Sequence, residues 1–155
     1  MPDNNVIIAE CSDYSIETVR QAVARIFQWQ GGAESIAGDG MRVFIKANLL
    51  MARKPEGATT AHPAVVQAVA EALIAAGAKV TIGDSPGGAY NEKALERGYA
   101  ECGMYKAAEA SGARLNKDFT TRQVQYGKRT FELITPAVEA DIVINIGKVK
   151  THMLT

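Results

Sequence analysis

The segment between residues 42 and 83 restricts the possible folds more than any other part of the sequence. Residues 42–48 have an apolar centre typical of a buried strand, and Lys79–Gly83 is a second such run. Between them, Pro63 suits the first position of a helix that ends at Gly77, with apolar residues recurring at helical spacing. A strand, a helix and a strand joined by short links form a right-handed crossover with parallel strands. The sequence therefore predicts an α/β fold built on a parallel sheet.

Two elements are predicted before this unit. The apolar run at residues 6–9 indicates a short first strand. Ser15 then suits the N-cap of a helix whose apolar residues form one stripe, and Gly31 ends that helix.

Two further helices are predicted after the unit. Residues 91–97 and Met104–Ser111 have helical patterns, and we expect breaks at Gly98 and Gly103 because glycine disfavours helix interiors.

The last third of the sequence predicts a hairpin and a final strand. Residues 124–126 and 130–133 flank a Gly-Lys pair, which is typical of a β-hairpin. Ile142–Ile146 is expected to be a parallel strand buried on both faces. The predicted fold is a Rossmann-like, open, mainly parallel sheet with helices on both faces and a small β-hairpin excursion. We expect residues 1–155 to be a single domain that is cut short at its C-terminus, because the last strand lacks a covering helix.

The composition argues against several classes of function. Lys plus Arg and Asp plus Glu number 17 each, so no net charge attracts nucleic acid or an anionic membrane. The two cysteines, Cys11 and Cys102, are too few for a cysteine-ligated zinc or iron–sulfur site. No apolar run reaches the roughly 18 residues of a membrane span, and the N-terminus lacks a secretory pattern. We therefore expect a cytoplasmic protein that binds neither nucleic acid nor membrane, and the sequence does not indicate its oligomeric state.

Polar residues cluster where the predicted strands end. In an open parallel sheet, ligands bind beyond the carboxyl ends of the strands, near the switch in strand order. The cluster contains Cys11, Ser12 and Asp13 after the first strand, Lys46 and Asn48 after the second, Asp84 and Ser85 after the third, and Lys148, Lys150, Thr151 and His152 after the last. We expect these loops to meet at one edge and to form a binding site.

Two kinds of role are expected within this cluster. The candidate catalytic residues are Lys46, Asp84 and His152. The candidate residues for binding a small anionic ligand or a cofactor are Asn48, Ser85, Gly87, Gly88, Lys148 and Lys150. The sequence does not identify a cofactor or a metal.

Each candidate also has a plain structural alternative. Lys46 either points into a cleft or extends to solvent, and Asp84 can serve chemistry, hold a metal or cap the following helix. The loop at residues 83–88 either presents N–H groups to an anion or is a tight turn. Lys148 and Lys150 form either a positive edge or a solvated strand exit.

The two histidines suit different roles. His62 precedes Pro63 at a helix start, so a capping role fits better than a ligand role. His152 is the better candidate for a general acid or base, or for a metal ligand.

Four segments together resemble the DUF362 family of prokaryotic proteins, which are often joined to ferredoxin-like 4Fe–4S modules. They are residues 43–50, 59–63, 83–88 and 141–152, and the most specific parts are the Gly-Asp-Ser-Pro loop and the Lys-Thr-His ending. The family usually has proline at the position of Ala47. The resemblance implies a redox setting, in which a 4Fe–4S cluster would belong to a module beyond Thr155.

Two functions remain open at this point. One is an enzyme domain that binds a small anionic substrate or cofactor at the edge of the sheet. The other is a non-catalytic module that docks or scaffolds an iron–sulfur electron-transfer partner, such as a ferredoxin-like module.

Overall fold

The computed structural model describes residues 5–86 and 90–150. The strands, in chain order, are β1 (Arg42–Ala47), β2 (Lys79–Gly83), β3 (Arg114–Leu115), β4 (Thr121–Tyr126), β5 (Arg129–Ile134) and β6 (Ile142–Ile146). The helices are α1 (Ile16–Trp29), α2 (Pro63–Ala75), α3 (Glu92–Glu101), α4 (Met104–Ser111) and α5 (Thr135–Glu139), and single 3₁₀ turns occupy Ala33–Ser35 and Pro55–Gly57.

The predicted fold class is confirmed. β1, β2, β3 and β6 form one parallel sheet in the order β3-β2-β1-β6, and helices flank it. β4 and β5 pair separately as an antiparallel hairpin, as the Gly127-Lys128 turn predicted. The strand order reverses at β1, which has β2 on one side and β6 on the other.

The predicted strand at residues 6–9 is wrong. These residues have no strand pairing, and the side chains of Val6 and Ile8 are 86% and 91% exposed. An apolar run becomes a strand only when a neighbouring strand pairs with its backbone. Among the described residues, no strand pairs with this segment.

α1 has a side-chain hydrogen bond at its start and an ion pair with α2. Ser15 occupies the N-cap position, but its hydroxyl donates to Thr18 Oγ1 at 2.8 Å and does not cap a backbone N–H. Arg20 forms two hydrogen bonds, of 2.7 and 2.8 Å, with the carboxylate of Glu71 on α2. These bonds lower the pKa of Glu71.

α2 begins and ends as the sequence predicted. His62 occupies its N-cap and Pro63 its first position. At its end, Gly77 adopts a φ of +93°, and the N–H groups of Gly77 and Ala78 donate to Ile74 and Leu73. This left-handed closure satisfies carbonyl groups that the helix end would otherwise leave unpaired.

The expected helix break at Gly98 is wrong. α3 runs through Gly98 as far as Glu101, and the break comes at Gly103, which has a φ of +74°. Leu95 and Tyr99 are buried on either side of Gly98, and their burial outweighs the cost of about 1 kcal/mol of a glycine inside a helix.

The two faces of the sheet are covered unequally. Val43 pairs in register with Val80, and Ile45 with Ile82, and these side chains share a core with α1, α2 and α4. Phe44 lies on the opposite face, beside a groove that also contacts the short helix α5.

The last strand is not buried on both faces, contrary to the prediction. Ile142, Ile144 and Ile146 pack against the core, whereas Val143 between them is 47% exposed. Within the described ranges, no element covers this side of β6.

Arg42 and Asp141 hold β1 and β6 together where both strands begin. The Arg42 backbone N–H donates to Asp141 Oδ2 at 2.8 Å, and its guanidinium donates to Oδ1 at 3.0 Å. These hydrogen bonds hold the pKa of Asp141 below its usual value.

Within residues 5–86 and 90–150, no helix is long and apolar enough to cross a membrane.

We expect Gly83→Ala to lower the free energy of unfolding by about 1–3 kcal/mol, because the side chain would overpack a filled site. A Cβ at Gly83 would lie 2.7 Å from Phe44 Cζ and 2.9 Å from Asn116 Cβ. Urea denaturation measures the change.

The matched control is Gly98→Ala, where a Cβ would meet no neighbouring atom within 4 Å. It should raise the free energy of unfolding by about 0.5–1 kcal/mol, since alanine is the better helix former. Equal effects at the two positions would contradict the close approach of Phe44 to Gly83.

Candidate functional site

Asp84 joins the ends of β1 and β2. Its side chain is only 3% exposed, and Oδ2 accepts a hydrogen bond of 2.7 Å from the backbone N–H of Leu49. Oδ1 accepts from the Ser85 N–H at 2.8 Å and lies 2.8 Å from Lys46 Nζ. The carboxylate thus receives three donors, all from the protein, and holds the loop after β1 against the loop after β2.

This geometry brings the predicted residues Lys46, Asp84 and Ser85 together. The Lys46 ammonium reaches the edge of the sheet but is neutralised there by Asp84. The Ser85 side chain is exposed, and its backbone supports the Asp84 carboxylate. In the structure Asp84 is therefore a positioning residue, and the catalytic roles of Lys46 and Asp84 stay predictions.

Lys150 joins the loop after β6 to the loop after β1. Its Nζ donates to Asn48 Oδ1 at 2.8 Å and to the Thr59 carbonyl oxygen at 2.9 Å. This contact lies where the strand order reverses between β1 and β6, the position at which open parallel sheets bind ligands. We give the name switch-point crevice to this part of the sheet edge, at Asn48, Lys148 and Lys150.

Lys148 lies in the same crevice. Lys148 and Lys150 are half-buried while Val149 between them is fully exposed, so the two lysines face the same side, as expected for an extended segment. Lys148 Nζ lies 6.0 Å from the centre of the Tyr14 ring. Among the described residues, neither lysine forms an ion pair with a carboxylate.

Tyr14 and His62 form a stacked pair beside Lys148. Their ring centres are 3.9 Å apart and the ring planes differ by 13°. The capping role predicted for His62 is confirmed, since its Nδ1 accepts a hydrogen bond of 3.2 Å from the Ala64 N–H. The sequence gives no signal for the Tyr14 contact, because the two residues lie in different elements with unrelated patterns.

The environment of His62 favours its neutral form. Burial lowers its pKa, and the nearby Lys148 lowers it further, whereas Glu56 acts in the opposite direction. Because Nδ1 is the acceptor for Ala64, the proton of the neutral ring lies on Nε2.

The remaining predicted residues divide into two groups. Gly87, Gly88, Thr151 and His152 lie outside the described residues. The predicted loop at residues 11–13 makes local contacts, with Cys11 Sγ donating to the Asp13 carbonyl oxygen and Asp13 Oδ1 accepting from the Ser15 N–H. In the described part of the chain, no three His, Cys, Asp or Glu side chains are grouped so that they could hold a metal ion.

The sequence that forms this site matches a known protein family. Residues 43–155 match the family model of DUF362, described as a domain of unknown function. The chain belongs to the DUF362 family. The matched region of this DUF362 chain contains Lys46, Asn48, Asp84, Lys148 and Lys150, whereas Tyr14 lies before it.

The DUF362 chain is also similar to the thylakoid-associated protein sll1697 of Synechocystis sp. The two are 28% identical over 152 residues, which cover 96% of this chain and 46% of the relative. The DUF362 chain thus spans about half the length of that relative. No solved structure is significantly similar to it.

We expect Asp84→Ala to lower the free energy of unfolding by about 3 kcal/mol. The change removes the acceptor of the buried Leu49 N–H and leaves that group unpaired. Chemical denaturation measures the loss. Lys46→Met is the comparison. It removes the counter-ion of the buried carboxylate but leaves its two backbone donors, so it should cost about 1–2 kcal/mol, less than Asp84→Ala. If Lys46→Met cost as much as Asp84→Ala, the hydrogen bond to Leu49 would not be the main contribution.

We expect His62 to make the protein less stable as the pH falls below about 6.5. The folded state resists protonating His62, so the unfolded chain binds more protons between the lowered folded pKa and the ordinary unfolded pKa. His62→Asn keeps a capping side chain but does not titrate. Free energies of unfolding from pH 8 to pH 5 should fall more steeply in the wild type than in the variant. Parallel profiles would rule out this contribution.

Proposed function

We propose that this domain is part of an enzyme and binds a small anionic substrate or cofactor in the switch-point crevice. The observation that carries the proposal is the position of Lys150. An ammonium group has three N–H donors, and Lys150 uses two of them on neutral acceptors, Asn48 Oδ1 and the Thr59 carbonyl. Among residues 5–86 and 90–150 it has no acidic partner and no third acceptor, so its charge and one donor remain for a ligand.

Lys148 strengthens the same local field. It lies on the same side of the extended segment as Lys150 and has no carboxylate partner among the described residues. Since the whole chain has no net charge, anion binding depends on such local placement.

The proposal also assigns a role to each of the other predicted residues. Asp84 holds Leu49, and through it the neighbouring Asn48, in position. The Ser85 N–H is already bonded to Asp84, so in the proposal the anion takes the Ser85 hydroxyl and the backbone N–H groups of Gly87 and Gly88. Lys46 and His152 carry the chemistry, with His152 as general acid or base.

We expect Lys148→Gln and Lys150→Gln each to weaken anion binding about tenfold, since each removes a charge-assisted hydrogen bond. Isothermal titration calorimetry with inorganic phosphate, citrate and ATP tests the wild type first, and the variants are then titrated with the tightest of the three. Thermal melts show whether each variant remains folded.

The matched control is Lys128→Gln, which removes one positive charge in the hairpin turn, away from the crevice. It should leave the affinity unchanged. An equal loss in Lys128→Gln would indicate a general charge effect, and an absence of binding by all three anions would contradict the proposal.

A second function is a module that docks an iron–sulfur partner. The observation that favours it is an uncovered apolar face on the hairpin, where Val124 pairs with Phe131 and the side chains of Phe131, Leu133 and Tyr126 are exposed. Docking of a 4Fe–4S ferredoxin, measured by titration, should be lost in Leu133→Ser and kept in Lys148→Gln under this function. The association of the relative with thylakoids concerns location and does not distinguish the two functions.

A further inference from the structure

An apolar pocket lies between α3 and the loops that follow β1 and β2. Its volume is about 370 Å³, within the range of about 300–1,000 Å³ that is usual for sites of small molecules. It is lined by residues 49–52 after β1, Pro86 after β2, and Ala94, Leu95, Arg97 and Gly98 of α3. We call it the α3 pocket. It lies on the β2 side of β1, whereas the switch-point crevice lies on the β6 side.

Gly98 provides the main evidence that the pocket is open space within the fold. The residue is buried, yet a Cβ built on it would meet no neighbouring atom within 4 Å. Because protein interiors are otherwise closely packed, a buried position without neighbours faces a cavity. Alanine would make the more stable helix, so the glycine keeps the pocket open where stability alone favours a side chain.

Two large apolar side chains of the pocket remain in contact with water. Leu50 and Met51, which are adjacent in sequence and both line the pocket, are 41% and 44% exposed. Exposed apolar surface is unfavourable, and the apolar part of a ligand would remove some of this surface from water.

Hydrogen bonds hold the walls of the pocket in place. Asp84 Oδ2 accepts from the Leu49 N–H at 2.7 Å. The Met51 carbonyl oxygen accepts from Sγ of Cys102, which directly follows α3, at 3.5 Å. A pocket that exists before the ligand arrives favours binding, because the ligand does not have to order its walls.

Arg97 indicates the charge of the ligand. It is the one charged residue among the described residues that line the pocket. Within residues 5–86 and 90–150, its guanidinium forms no ion pair. A guanidinium binds a carboxylate through two parallel hydrogen bonds. The complementary ligand therefore has an apolar body and a carboxylate.

We propose that the α3 pocket binds a small apolar carboxylic acid, with its carboxylate on Arg97 and its hydrocarbon part on Leu50 and Met51. The space beside Gly98 receives the hydrocarbon part. This pocket is separate from the switch-point crevice, so the inference does not depend on the proposed function.

Titration calorimetry with octanoate, butyrate and octanol tests the ligand class. Octanoate should bind about tenfold tighter than butyrate, because its longer chain buries more apolar surface. It should also bind about tenfold tighter than octanol, because only the acid pairs with a guanidinium. Equal affinity for octanoate and either of the other two compounds would overturn the assignment.

Arg97→Gln tests the partner of the carboxylate. The variant should bind octanoate and octanol equally, since the charge that distinguishes them is lost. Lys93→Gln is the matched control. It removes an exposed positive charge from the same helix outside the pocket, so the preference for octanoate should remain. Loss of the preference in both variants would indicate a general charge effect and contradict the inference.

Gly98→Leu tests the open space, since the leucine side chain would occupy it. The variant should bind octanoate at least about tenfold more weakly. Gly98→Ala fills less of the space and should weaken binding about threefold while raising the melting temperature, because alanine is the better helix former. Ala100→Leu is the matched control, since it adds the same side chain at an exposed position of the same helix outside the pocket. Its octanoate affinity should be unchanged.

The outcomes separate the inference from the proposed function. If octanoate binding depends on Lys150 but not on Arg97 or Gly98, the acid binds in the switch-point crevice, so the inference is wrong and the proposed function stands. If octanoate binding depends on Arg97 and Gly98 while phosphate, citrate and ATP do not bind, the inference stands and the proposed function fails. If neither octanoate nor octanol binds the wild-type protein, the inference fails.

Discussion

The arrangement of the loops at the carboxyl end of the parallel sheet depends on the buried carboxylate of Asp84. Taking a carboxylate out of water is unfavourable unless donors replace the lost hydration, and Asp84 has the Leu49 N–H, the Ser85 N–H and the Lys46 ammonium. These donors come from the ends of two neighbouring strands. Because the group is nearly fully buried, it holds both loops in one arrangement.

The loop after β1 connects Asp84 to the other segments of the site through hydrogen bonds. With Leu49 fixed by Asp84, Asn48 accepts from the Ala61 N–H through its carbonyl at 3.1 Å and from Lys150 through its side chain at 2.8 Å. The first contact places the segment that enters α2, and the second places the segment that leaves β6. The switch-point crevice borders both of these segments, so the same network supports it.

The electrostatics of the edge follow from which lysines have acidic partners. Lys46 is paired with Asp84, so its charge is largely neutralised at this edge. Lys150 is held by two neutral oxygens and has no acidic partner in the described part of the chain, and Lys148 lies beside a stacked aromatic pair. A chain without net charge can in this way present a small positive site, which is why we favour a small anion over nucleic acid.

The local sequence determined the βαβ unit, the capping of α2 by His62 and the position of the polar residues after each strand. Each of these depends on periodicity or on neighbours a few residues apart. In the same way, the two-residue repeat of an extended segment determines that Lys148 and Lys150 face the same side. Only the tertiary structure decided that residues 6–9 lack a strand partner, that α3 continues through Gly98, that Val143 is exposed and that Tyr14 stacks on His62. It also decided that Asp84 holds Leu49 and that Lys150 holds Asn48. These outcomes depend on contacts between residues far apart in sequence, and local patterns carry no information about which distant backbone or side chain a group will meet.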